Sequence, residues 1–150
     1  MTQPAAVELY FDFLCPYAWR GLELAEVLRR EHGLRFNLRH FSLVQGNHAE
    51  NPDRKHPVWW LTDQAAGEAP EVQAASLHAF LAAQAAMRQG EEAAWAFTLA
   101  LFRARHAGKQ PADLRDEAVM GAAAREAWAV RIFRDIGTAQ SGLAKPKSAQ

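Results

Sequence analysis

Cysteine is almost missing from this chain: one, Cys15, stands among 150 residues. A lone thiol excludes an internal disulfide framework, and it leaves no cysteine cluster for zinc. The six histidines, at positions 32, 40, 48, 56, 78 and 106, are scattered without metal-ligand spacing, so no metal is expected. An excess of charge of one sign is missing too. Lys plus Arg and Asp plus Glu number 17 each, which leaves no global field to draw in nucleic acid or an anionic membrane. The one local basic cluster is "KPK" at Lys145 to Lys147. No apolar run approaches the ~20 residues of a membrane span. The first residues, "MTQPAAVELYF", lack the basic, apolar and small-residue succession of a secretory signal. These absences point to a soluble, cytoplasmic protein with neither nucleic acid nor membrane as partner. There are no internal repeats.

What is present is globular composition, 49% apolar and 23% charged, in a chain of one domain's length. Val7 to Leu14 is nearly all apolar and predicts a strand covered on both faces, as in an α/β sheet. From Pro16 the period changes to that of a helix. Trp19, Leu24, Val27 and Leu28 form its expected apolar face, Glu26 and Arg30 an i,i+4 pair, and Gly33 its C-terminal cap. "LRFNLRHFSLV" from Leu34 alternates apolar with polar residues and predicts a second strand. Strand, helix and strand make a βαβ unit, so the two strands should be parallel.

Residues 45–69 are polar and proline-broken at first, and "VWWLTDQ" supports no more than a helical turn. Three helices are expected after Pro70. The first spans 71–89, with Val72, Ala75, Ala79, Phe80, Ala83 and Met87 inward. The second spans 91–107, with Glu91 and Glu92 at its positive end and Trp95, Leu99 and Phe102 buried. Gly108 should terminate it. The third is capped by Asp113 and runs to about Ile136 with a break near Glu126; Val119, Met120, Ala123, Ala127 and Trp128 should face inward. The final "GTAQSGLAKPKSAQ" reads as a flexible tail. The organisation expected is therefore a βαβ unit at 6–44, a helical insertion at 45–136 and a tail at 137–150.

The position of the one thiol is the informative feature. Proline suits the first position of a helix, which makes Pro16 the first helical residue and Cys15 the N-cap. The free amides of Tyr17 and Ala18 and the helix dipole then lie beside the sulfur, and both favour thiolate over thiol. The end of a strand at the start of a helix is also where open α/β sheets place their ligand crevice. The alternative is that Cys15 fills space as a small buried hydrophobe.

"YFDFLCPYAWRG", residues 10–21, resembles the strand-borne motif of the DsbA-like branch of the thioredoxin superfamily, in particular its cytosolic oxidoreductases with "FDFxCPxC". The resemblance extends over about residues 6–136 and includes the helical segment with "FLAAQAAMRQG" and "LFRARHAGKQPADLRDEAV". It implies an α/β fold, a thioredoxin-like βαβ unit followed by an α-helical insertion, and an activity in thiol–disulfide exchange. Two departures qualify it. The motif here is Cys15-Pro16-Tyr17-Ala18, and alanine in the resolving position leaves only monothiol chemistry. Cys15 would be the nucleophile, with Pro16, Tyr17, Ala18 and Asp12 stabilising the thiolate or touching substrate. No tightly bound cofactor is implied; glutathione or another low-molecular-weight thiol would serve as co-reactant, with a disulfide-containing protein or a small-molecule thiol as substrate. Kappa-class glutathione transferases and 2-hydroxychromene-2-carboxylate isomerases carry Ser-Pro-Tyr-Ser-like motifs at this place, so Pro16-Tyr17 resembles them equally. The second departure is that the C-terminal strands of the fold, and the cis-proline before them, are missing. Pro146 has no strand after it. That predicts either a truncated, non-catalytic remnant or a homodimer whose second copy covers the open sheet edge.

Other residues carry two readings each. Tyr17 either lends its hydroxyl to substrate or packs on the sheet edge. Asp12 either tunes the thiol or caps the helix that follows it. Asn47 and His48 lie in an expected substrate loop, with His48 a candidate base; His40 is read as structural. Trp59 and Trp60 either wall a substrate site or pack beneath the helices.

Overall fold

A computed structural model describes residues 5–53, 55–63 and 71–129. Its elements are β1 (Val7–Phe11), α1 (Pro16–His32), β2 (Phe36–His40), α2 (Leu43–Gly46), a 3-10 turn (Leu61–Asp63), α3 (Glu71–Met87) and α4 (Glu91–His106). Residues 117–129 are helical and are labelled α5. The expected tail and the expected helix end near Ile136 lie outside the described residues.

The βαβ unit forms as the alternation predicts. β1 and β2 pair in parallel, with Val7 opposite Phe36 and Phe11 opposite His40, and they are the only strands among the described residues. Leu9 and Phe11 share one face with Phe36 and Leu38 and pack on the core. The other face is polar and open: Glu8 accepts hydrogen bonds from Asn37 (2.7 Å) and Arg39 (2.6 Å), and Tyr10 is exposed. The expected strand covered on both faces is therefore corrected to one covered on a single face. Both strands are also shorter than expected. Asp12 turns the chain after Phe11, and Ser42 begins α2 two residues after His40 by accepting the Gln45 amide on its side chain.

Gly33 ends α1 in the left-handed region, φ 65°, and returns its amide to the Leu28 carbonyl. A side chain is strained there, which explains glycine at that place. The buried face of α1 is Leu22, Ala25 and Glu26, whereas Leu24 and Val27, expected inward, are exposed. The helix is apolar on two sides, and packing against α4 selects the side carrying Leu22 and Ala25. Glu26 bonds Arg30 as expected but is itself buried. It also pairs with Arg29 (2.8 Å), which reaches Glu92 of α4 (2.6 Å) and lies 5.0 Å from the centre of the Trp95 ring.

One continuous core joins the βαβ unit to the helices: Phe11, Phe13 and Leu22 pack with Ala79, Trp95, Leu101 and Phe102. Alanines at 75, 79 and 83 let α3 lie close against its neighbours, while Val72, expected inward, is exposed. Trp95, Leu99 and Phe102 are buried as their spacing predicts. α4 ends at His106, capped by Ala107, two residues before Gly108. The cap of α5 is Asp116, whose side chain accepts the Ala118 amide (2.8 Å). Asp113, expected in that role, instead holds a local turn by accepting the Arg115 amide (2.9 Å). α5 buries Ala123 and Ala127, leaves Trp128 exposed, and passes Glu126 without a break.

Candidate functional site

The turn between β1 and α1 is built by one aspartate. Asp12 Oδ1 accepts the Leu14 amide (3.0 Å), and the Asp12 carbonyl accepts the Cys15 amide (3.0 Å). This Asx turn reverses the chain within four residues and delivers Cys15 to the head of α1. Cys15 is the N-cap in extended conformation, φ −95° and ψ 114°, with Pro16 as the first helical residue. Its carbonyl accepts the Trp19 amide (3.2 Å). Its side chain accepts no capping hydrogen bond, so the expected amide contacts to sulfur are not formed. The residue is half-buried and is not part of the apolar core cluster.

Asp12 itself is 2% exposed and binds three elements together. Its carboxylate accepts the Leu43 amide at the start of α2 (2.8 Å) and faces the Ser76 hydroxyl of α3 (3.3 Å). Burial pushes its carboxyl above the ordinary range, against the opposing pull of the Leu14, Leu43 and Ser76 donors. It therefore tethers these elements and caps α2 through the Leu43 amide; the expected cap on α1, the helix that follows it, is not formed, because the Leu14 amide it holds precedes that helix.

From the other side, α4 clamps the same turn. His106 Nε2–H donates to the Phe13 carbonyl (2.8 Å), and its ring stacks on Trp19 at 6.0 Å and on Phe102 at 6.1 Å. Trp19 Nε1–H donates to Glu23 (3.0 Å), which takes two hydrogen bonds from Arg103 (2.7 and 2.8 Å). The Cys15 turn is thus held between Asp12 below and the last turn of α4 beside it. Sequence reasoning passed over His106 and Ser76. Spacing carried the signal for both: His106 continues the 95–99–102 stripe of α4, and Ser76 falls on the buried 79–83 side of α3.

Of the other motif residues, Tyr17 is 82% exposed, Pro16 is exposed and Ala18 is half-buried against the core. Tyr17 is therefore turned to solvent rather than packed on the sheet edge. Asn47, His48 and Trp59 lie in the loop after α2. His48 stacks flat on Trp59 at 3.8 Å and accepts the Glu50 amide (3.3 Å); among the described residues no hydrogen bond joins it to Cys15. Asn51, another residue the sequence did not flag, organises this loop. Its amide donates to the Gln45 and Trp59 carbonyls, and its oxygen accepts the Val58 and Trp59 amides. Trp60 is exposed and Leu61 is buried. His40 packs among Phe11, Phe13 and Phe80, and burial lowers its imidazole to about 4.

Among the described residues no group of three His, Cys, Asp or Glu side chains could hold a metal, and no helix is long and apolar enough to cross a membrane.

A parallel βαβ unit with a cysteine at the head of its helix, packed on a helical array, defines a thioredoxin-like domain. The model of the DSBA-like thioredoxin domain matches residues 6–131, and the chain belongs to that family. No curated protein matches the chain.

Proposed function

We propose that the protein is a monothiol thiol–disulfide oxidoreductase, with Cys15 as its nucleophile. The observation that carries this reading is the backbone at Cys15: an N-cap position, outside the core, on a turn fixed from two sides. Family membership supports exchange chemistry of this type. Ala18 in the second motif position, in a chain with one cysteine, directs it to a single thiol. The Cys15 thiolate attacks one sulfur of a disulfide, forms a mixed disulfide and expels the other sulfur as a thiolate. A second thiol, glutathione or another small thiol, then attacks the mixed disulfide, leaves as the new disulfide and restores Cys15. The α1 dipole stabilises negative charge on sulfur in both steps, and Tyr17, exposed in the first turn of α1, is the motif side chain free to meet the substrate. A thiol regenerated by small thiols works in a reducing compartment, which makes the cytoplasm its place of action.

A second reading rests on the solvent-exposed Tyr17 side chain, two residues after Cys15. Here the site holds a small thiol and directs it at an electrophile, as in a glutathione-dependent transferase or isomerase. The test is turnover of hydroxyethyl disulfide with glutathione, run beside conjugation of 1-chloro-2,4-dinitrobenzene. Disulfide turnover that disappears in Cys15→Ser is expected; conjugation that survives this substitution would favour the transferase, and neither activity would leave a non-catalytic domain.

A further inference from the structure

A cleft of about 430 Å³ opens between the end of β2, α2, the 3-10 turn and α3. It falls within the size range of small-molecule sites. Its apolar walls are His40, Phe41, Leu61, Leu77, Phe80 and Leu81. No Asp, Glu, Lys or Arg lines it among the described residues. Its polar lining is largely committed within the protein. Asn51 makes four internal hydrogen bonds, Gln45 Oε1 accepts the Leu61 amide, and Ser42 Oγ accepts the Gln45 amide. Gln84 is engaged with His40 Nδ1 (3.3 Å). The recesses at Arg35–Arg39 and at Glu23–Arg103 are walled by charged groups instead.

We propose that this cleft binds an uncharged aromatic small molecule. Four observations favour that occupant. An anion or zwitterion, the tripeptide thiol of the redox reading included, would lose hydration there without meeting a counter-charge. Rings are offered by His40 and Phe80, stacked at 4.6 Å, and by Phe41. Burial keeps the imidazole of His40 neutral at pH 7, so the wall carries no cation. Leu81, 61% exposed, and Phe41, 48% exposed, stand at the mouth as large apolar groups in water, and a bound ring would cover them. The cleft lies one layer behind the thiol turn, since His40 and Phe80 both pack on Phe13. The inference concerns binding alone and stands apart from the redox reading.

The test is a fluorescence titration of the full chain with N-phenyl-1-naphthylamine, an uncharged two-aryl probe, at pH 7. Saturable 1:1 binding is expected, weakened about tenfold or more by Leu81→Glu and by Phe41→Ala and unchanged in Cys15→Ser. Both mouth residues are exposed, so urea midpoints should confirm that these variants fold. Ala85→Glu controls for a second uncharged groove, which runs along α3, α4 and α5 and includes Ala85. No saturation below about 1 mM, or binding lost in Ala85→Glu but kept in Leu81→Glu, would overturn the proposal.

Discussion

His106 Nε2 sits 2.8 Å from the carbonyl oxygen of Phe13, so the last turn of α4 is bonded to the turn that carries Cys15, 93 residues earlier in the chain. The helical array thereby braces the turn that leads into Cys15, in addition to supplying a core.

Replacing His106 separates the hydrogen bond from the stacking. His106→Ala removes both and should cost about 1–2 kcal/mol, whereas His106→Phe keeps the rings and should cost about 1 kcal/mol. Urea denaturation measures the costs. Iodoacetamide alkylation of Cys15 provides the second readout: the rate should change in both variants, because the Phe13 carbonyl is released in both.

Asp12 should be the most sensitive polar residue. Asp12→Ala leaves the Leu14 and Leu43 amides and the Ser76 hydroxyl without their acceptor in a buried place, at a cost of about 3 kcal/mol or more. Asp12→Asn retains one acceptor oxygen and should cost clearly less in the same assay. A carboxyl whose folded value is raised loses stability as pH rises from its unfolded value through the folded one. The Asn variant should lack that decline.

His40 gives the opposite dependence. Its folded value, about 4, lies below the unfolded imidazole value of about 6.5. Stability from its neutral form is complete above the unfolded value and falls as pH drops toward 4. His40→Phe should remove this component of the slope, and it also removes a buried ring nitrogen, Nε2, that lacks a hydrogen-bond partner among the described residues. Urea midpoints at pH 4.5 and 7 should therefore differ more in the parent than in the variant.

The Glu26–Arg29–Glu92 cluster should behave as a unit. Arg29→Met leaves a buried Glu26 unpaired except for the more exposed Arg30, at a cost of about 2 kcal/mol, between the surface and fully buried limits. Adding Glu26→Gln should recover part of it, and the double-mutant cycle should be non-additive.

How far the sequence could be read depended on the range of the interactions involved. The βαβ unit, the N-cap position of Cys15 and the αL cap at Gly33 follow from neighbours in sequence, and each was legible. The face of α1 was not. Leu24 and Val27 are as apolar as Leu22, and only contact with α4 selects among them. Trp128 and Val72 failed for the same reason. Within the site, the Asx turn at Asp12 was within reach, but its acceptor role toward Leu43 and Ser76 spans 31 and 64 positions. The moves of the helix cap from Asp113 to Asp116, and of the strand end from Leu14 to Phe11, are local competitions between side-chain and backbone hydrogen bonds that composition does not rank.

The central claim is that Cys15 is a nucleophile placed for disulfide exchange, and trapping by glutathione disulfide tests it most directly. Mass spectrometry of the intact chain at pH 7 should show one glutathionyl adduct, at Cys15, formed about tenfold or more faster than on a free cysteine peptide and removed by added glutathione. An adduct that forms no faster than on the peptide, or that glutathione fails to release, would contradict the account.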